Sequence, residues 1–107
     1  ANHIKEQELG VSPESLLQYG AVSEQVVREM AGGIRNRFHT DYAIATSGIA
    51  GPDGGTPEKP AGTVWIAVAS VKGVTTQKFF FNDDRLRFIR RTAMAALNLL
   101  RKEIGCS

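Results

Sequence analysis

The sequence predicts an α/β domain, and three observations carry that prediction. Helical patterns come first, in "VSPESLLQYG" and "VSEQVVREMAGGIRNRFHTD". Two apolar runs follow, "YAIATSG" and "GTVWIAVASV", held apart by a long stretch rich in glycine and proline. A further β-prone run and one long helical pattern close the chain. The order is therefore helix, helix, strand, loop, strand, strand, helix, with at least three strands in the sheet.

The opening "ANHIKEQELG" begins without methionine and in mid-pattern, with Ile4 and Leu9 as apolar anchors. It reads as a piece of a longer chain. In "VSPESLLQYG", Ser12 suits a helix N-cap, Pro13 the first helical position and Gly20 the stop. In the second helix Ser23 is the expected N-cap, with Glu24 in the first turn. Val26, Val27, Met30, Ala31, Ile34 and Phe38 recur at helical spacing on one face. The pair Gly32–Gly33 costs ~1 kcal/mol per glycine relative to alanine, which points to close packing against another backbone or to simple tolerance, the packing being favoured.

"YAIATSG" is short, apolar and bounded by turn residues, so a buried strand over Tyr42 to Thr46 is expected. "GTVWIAVASV" is β-branched and aromatic, the signature of a central strand. A hairpin turn at Lys72–Gly73 leads into "VTTQKFFFND". Asp83 or Asp84 can cap the last helix, which runs to about Glu103. Leu86, Phe88, Ile89, Ala93, Leu97, Leu100 and Ile104 form its expected core stripe.

Composition narrows the class. The 107 residues are 42% hydrophobic and 22% charged, with 13 basic against 11 acidic residues and a net charge of +2. That suits one globular domain and leaves nucleic acid without a clear electrostatic signature. The single cysteine, Cys106, permits no disulfide within the chain and fits a reducing compartment. No run approaches the ~20 apolar residues of a membrane span. His3 and His39 have no metal-ligand spacing, and His39 falls near a helix C-terminus, where a cation is favoured.

The stretch "TSGIAGPDGGTPEKPAG" is the chemically informative one. It leaves the carboxyl end of a strand, where ligands gather in open α/β sheets. Gly48, Gly51, Gly54 and Gly55 can adopt backbone angles closed to other residues and can collect N–H donors into an anion-binding nest. Thr46, Ser47 and Thr56 add hydroxyls, and Lys59 adds a cation; together they could grip a phosphate. The alternative is an ordered structural loop stiffened by Pro52, Pro57 and Pro60. The stretch is neither a P-loop nor a dinucleotide fingerprint, no Gly-x-Ser-x-Gly elbow is present, and Asp53 and Glu58 read as solvated.

"TSGIAGPDGGTPEKPAGTVWIAVAS" closely resembles the segment Thr-Gly-Ile-Ala-Gly-Pro-x-Gly-Gly-Thr-Pro-x-Lys-Pro-Val-Gly-Thr-Val of the CinA family's C-terminal domain. "YGAVSEQVVREMAGGIR" looks like that family's Gly-Ala-Val-Ser helix, and "DRLRFIRRTAMAALNLLR" resembles its Asp-Arg…Ile-Arg helix. The resemblance covers essentially the whole chain. Departures are small: Ser47 stands between Thr46 and Gly48, and Ala61 replaces a common valine.

The resemblance implies a three-layer α/β/α fold with a mixed sheet, incomplete at the N-terminus, with residues 1–107 the C-terminal portion of a single amidase domain. It implies hydrolysis of the carboxamide of nicotinamide mononucleotide to nicotinic acid mononucleotide and ammonia, with neither metal nor cofactor. The family's nucleophilic serine lies in a segment like Ala-Glu-Ser-Cys-Thr-Gly-Gly, and a family tyrosine precedes the stretch matching "ANHIK"; neither is in this chain. Lys5 and Thr46 match the rest of the family's catalytic group; a lysine with its pKa lowered by burial could activate the serine. Gly48, Ala50, Gly51, Gly54, Gly55, Thr56 and Lys59 are the implied substrate-binding residues. Arg85 could add a bidentate phosphate contact, or be a surface arginine at a helix start. The expected partner is a small nucleotide, with no nucleic acid or membrane, in a cytoplasmic homo-oligomer. The alternative function is a non-catalytic nucleotide-binding or oligomerisation module.

Overall fold

The computed structural model describes residues 11–50, 55–57 and 59–105, with Tyr19 described in its backbone alone. Helix α1 covers Pro13–Tyr19 and α2 covers Glu24–Phe38. Strands β1, β2 and β3 are Ala43–Gly48, Thr63–Ser70 and Gly73–Phe80, and α3 is Arg85–Gly105. The element order expected from the sequence is the order found.

The capping residues act as their chemistry requires. Ser12 Oγ accepts from Ser15 N, Pro13 opens α1, and Gly20 closes it with its N–H donated to the Leu16 carbonyl. Ser23 Oγ accepts from Val26 N at 3.2 Å. Of the two aspartates proposed for α3, Asp84 is the cap, its carboxylate accepting from Arg87 N at 2.9 Å.

The sheet has the order β1-β2-β3. Both pairings are antiparallel, so the parallel pairing that a mixed sheet requires has no strand among the described residues. The β2–β3 register pairs Ser70 with Gly73. The two-residue turn is therefore Val71–Lys72, one residue earlier than the sequence suggested.

Alternation along β1 and β2 divides the core between two faces. Ala43, Ala45, Ala67 and Ala69 pack with Val27 and Ala31 of α2. Val64, Ile66 and Val68 pack with Phe88, Ala96 and Leu99 of α3. The result is the expected α/β/α sandwich, with β2 buried on both faces. Small alanines opposite α2 let that helix lie close to the sheet. Larger valines and Ile66 fill the α3 side, each fully buried one contributing roughly 1.5–3 kcal/mol.

Three expectations about packing are corrected. Gly32 faces open space, with no atom beyond its own helix backbone within 4 Å of where a Cβ would stand, so it mediates no close contact with another backbone. Phe38, the last residue of α2, is 62% exposed and does not join the core stripe. The apolar stripe of α3 is half covered: Phe88 is buried, while Leu86, Ile89, Leu97 and Ile104 are 50–58% exposed.

Candidate functional site

The loop between β1 and β2 is tied down at its base. Ile49 N donates to the Thr63 carbonyl at 2.9 Å, and Gly62 N donates to the Ile49 carbonyl at 2.6 Å. These bonds continue the β1–β2 ladder past the strand ends and hold both arms of the loop together. Farther out, Thr56 N donates to the Lys59 carbonyl at 2.9 Å, and Lys59 N donates to Thr56 Oγ1 at 3.1 Å. A bridge between Gly55 and Pro60 closes the same turn. Gly55 has φ +99°, and an added Cβ would meet the Ala61 nitrogen and the Lys59 carbonyl oxygen, the latter at 2.8 Å. Glycine is required there by conformation and by space.

The candidate residues take different roles. Thr46 is exposed near the carboxyl end of β1, on the sheet face that carries α3. Gly48 lies on that face too, with no positive φ. Its missing side chain leaves room for Phe88 and Val64, since a Cβ would stand 2.9 Å from Phe88 Cζ and 2.9 Å from Val64 Cγ2. Gly48 thus serves close packing, in place of the special backbone angle expected. Ala50 packs against the α3-side core. Arg85 opens α3, three residues before the Phe88 that closes over Gly48.

Ser47, one residue from Thr46, points to the opposite face. It is buried and donates from Oγ to the Ala21 carbonyl at 2.7 Å. Lys59 also reaches that side, its ammonium standing next to Gly20 in the turn between α1 and α2. The loop end of the sheet is therefore flanked on two sides, Thr46, Gly48 and Arg85 toward α3, Ser47 and Lys59 toward α2. Lys5, Gly51 and Gly54 lie outside the described residues, as does Cys106.

The α1–α2 turn is the part of this region that sequence reasoning missed. Its signal was present: Gly20 was read as a helix stop, and the following Ala21 supplies the carbonyl that Ser47 needs. A stop signal carries no information about which distant loop will pack on it.

Among the described residues, two carboxylates of α2 have shifted pKa values. Burial works to raise the Glu29 pKa, and hydrogen bonds from Ser12 N, Ser15 Oγ and Gln25 Nε2 overcome it, leaving the carboxyl below its usual value. Glu24 is lowered by a hydrogen bond from Thr76, then by Arg28. Both carboxylates join elements and neither faces the loop. Two open concavities of about 380 and 290 Å³ sit at the far end of the sheet, around Arg35, His39 and Asp41 and around Tyr42, Ser70 and Lys72. They lie across the strands' length from the loop.

A family model described as the CinA C-terminal domain matches residues 1–104. A "CinA-like protein" of Cytophaga hutchinsonii is 48% identical over 96% of this chain, which spans 25% of that protein. A solved CinA superfamily protein from Enterobacter cloacae is 39% identical with a TM-score of 0.89, over 96% of this chain and 61% of its own. Another from Klebsiella pneumoniae 700603 is 36% identical with a TM-score of 0.93, over 100% and 67%. The chain thus spans about a quarter of the length of the curated relatives it matches and about two thirds of the solved ones.

Proposed function

The chain belongs to the CinA C-terminal domain family, and from that premise we propose that it supplies the substrate-binding wall of a nicotinamide mononucleotide amidase site. The reaction is hydrolysis of the carboxamide to a carboxylate and ammonia. The observation that carries the reading is the exposed Thr46 hydroxyl at the carboxyl end of β1, next to an anchored loop that requires glycine at position 55. Such a loop offers main-chain N–H groups to an anion at little conformational cost. In an amidase those donors serve the nucleotide phosphate or the oxyanion that forms on the carboxamide oxygen when its carbon is attacked.

In this reading Lys5 serves as the base for a serine nucleophile and Thr46 contacts the reacting group. Thr56, Lys59, Arg85 and the loop glycines hold the nucleotide. Thr56 does so indirectly, because its hydroxyl accepts from Lys59 N and fixes the turn that carries the lysine. The expected setting is a homo-oligomer in the cytoplasm.

The test is ammonia release from nicotinamide mononucleotide by a complete domain carrying this sequence. Lys5→Ala is expected to abolish turnover, and Thr46→Ala to lower it on the order of 100-fold, the scale of a positioned catalytic group. Full activity in Lys5→Ala removes that lysine from the mechanism. Absence of turnover in the unmodified domain overturns the amidase reading.

A further inference from the structure

Two hydroxyls and an ammonium converge on the short turn between α1 and α2. Ser23 Oγ donates to the Gly20 carbonyl at 2.9 Å. Ser47 Oγ, from the end of β1, donates to the Ala21 carbonyl at 2.7 Å. Lys59, from the returning arm of the loop, brings Nζ to 2.9 Å from the point where a Gly20 Cβ would stand. The turn is thus fixed by its own helix cap and by β1, and the lysine of the loop rests on the one residue in it without a side chain.

We propose that Gly20 is a positioning residue for the Lys59 ammonium and, through it, for the anionic group of the ligand. The inference rests on the reading of Lys59 as a substrate-binding cation. A methyl group at position 20 would occupy the space the ammonium needs. The lysine is the end of a flexible chain, whereas the turn is bonded through two carbonyls, so the lysine is the part that moves. Gly20 also has φ 78° and ψ 167°, a region essentially reserved for glycine. Substitution therefore has two separable effects, strain in the α1 cap and displacement of Lys59, and the test has to tell them apart.

The separation comes from a double-mutant cycle in a complete domain carrying this sequence, with Gly20→Ala, Lys59→Met and both together, read by calorimetric binding of nicotinamide mononucleotide. Each single change is expected to weaken binding about tenfold, the scale of one charge-assisted contact. The double variant is expected to bind no more weakly than Lys59→Met alone. Additive losses overturn the proposal, since they would show that Gly20 acts without Lys59.

A ligand-free measurement keeps the inference separate from the amidase reading. Biosynthetic ¹³C-labelling of lysine reports each side chain through its Cε–H signal, and the Lys59 signal is identified by its loss in Lys59→Met. That signal is expected to shift in Gly20→Ala, and the Gly20 amide and α-proton signals are expected to shift in Lys59→Met. The second variant leaves the α1 cap untouched, so it decides the matter even where Gly20→Ala fails to fold. Unchanged Gly20 signals in Lys59→Met overturn the contact. Absence of nucleotide binding with both sets of shifts present overturns the amidase reading and leaves the positioning role intact.

Discussion

Thr92, half-buried on the sheet-facing side of α3, holds its hydroxyl oxygen out of solvent, and among the described residues that oxygen has no hydrogen-bond partner. Such a group costs about 1–3 kcal/mol relative to an apolar one of the same shape. Valine has that shape. Thr92→Val is expected to raise stability by about 1 kcal/mol in urea denaturation, and a loss of stability would mean that the hydroxyl finds a partner in solution. Position 47 shows the contrary case. Ser47 is buried as a whole, and its hydroxyl is committed to the Ala21 carbonyl. From the sequence the adjacent Thr46 and Ser47 were equivalent loop hydroxyls. Strand alternation separates them, one exposed toward α3 and one buried toward α2.

Element by element, α1 is too short to stand alone and is held to α2 by Glu29. Its carboxylate accepts from Ser12 N at 2.9 Å, from Ser15 Oγ and from Gln25 Nε2 at 2.7 Å. The folded state therefore holds the Glu29 carboxyl below its ordinary value of 4.5. A depressed carboxyl pKa stabilises the fold above its unfolded value, and that stability is lost as pH falls from about 4.5 through the folded pKa. Glu29→Gln is expected to flatten the acid limb of a stability–pH curve. Glu24→Gln is expected to change it less, because Glu24 is exposed and its pairing with Arg28 is screened. At the start of α3, Asp84→Ala is expected to cost about 1 kcal/mol for its lost cap. These element boundaries were legible because caps are local: Ser12, Pro13, Gly20 and Ser23 announce themselves within a few residues. The Glu29 cluster was not legible, since Ser15 and Glu29 are joined across fourteen positions by the way α1 folds back on α2.

Over the whole molecule, the layered α/β class followed from the order of elements and the three layers from the family resemblance, whereas the extent of burial on α3 followed from neither. Its apolar residues cover about half the helix circumference, and periodicity cannot tell which part of so wide an arc meets the sheet. The structure decides it. Phe88 packs edge-on to Phe81, Arg91 lies 4.7 Å from the Phe81 ring centroid, and Arg91 pairs with Asp83 at 2.7 Å. These contacts turn one side of the helix toward β3. At about 100° per residue, Leu86, Ala93, Leu97 and Ile104 lie far around the helix from Arg91, on its other flank. Leu99 and Leu97 thus belong to one helix and one apolar pattern but differ in burial, at 8% and 58% exposed. Leu99→Ala is expected to cost about 2–5 kcal/mol, as for a buried leucine. Leu97→Lys is expected to stay within about 0.5 kcal/mol, as for a surface position. Denaturation of the two variants at several protein concentrations measures both. A large loss in Leu97→Lys that grows with concentration would mean that the flank is covered by a second copy, the homo-oligomer expected from the sequence. A small loss at every concentration would leave the flank exposed in the isolated chain and place any self-association on another surface.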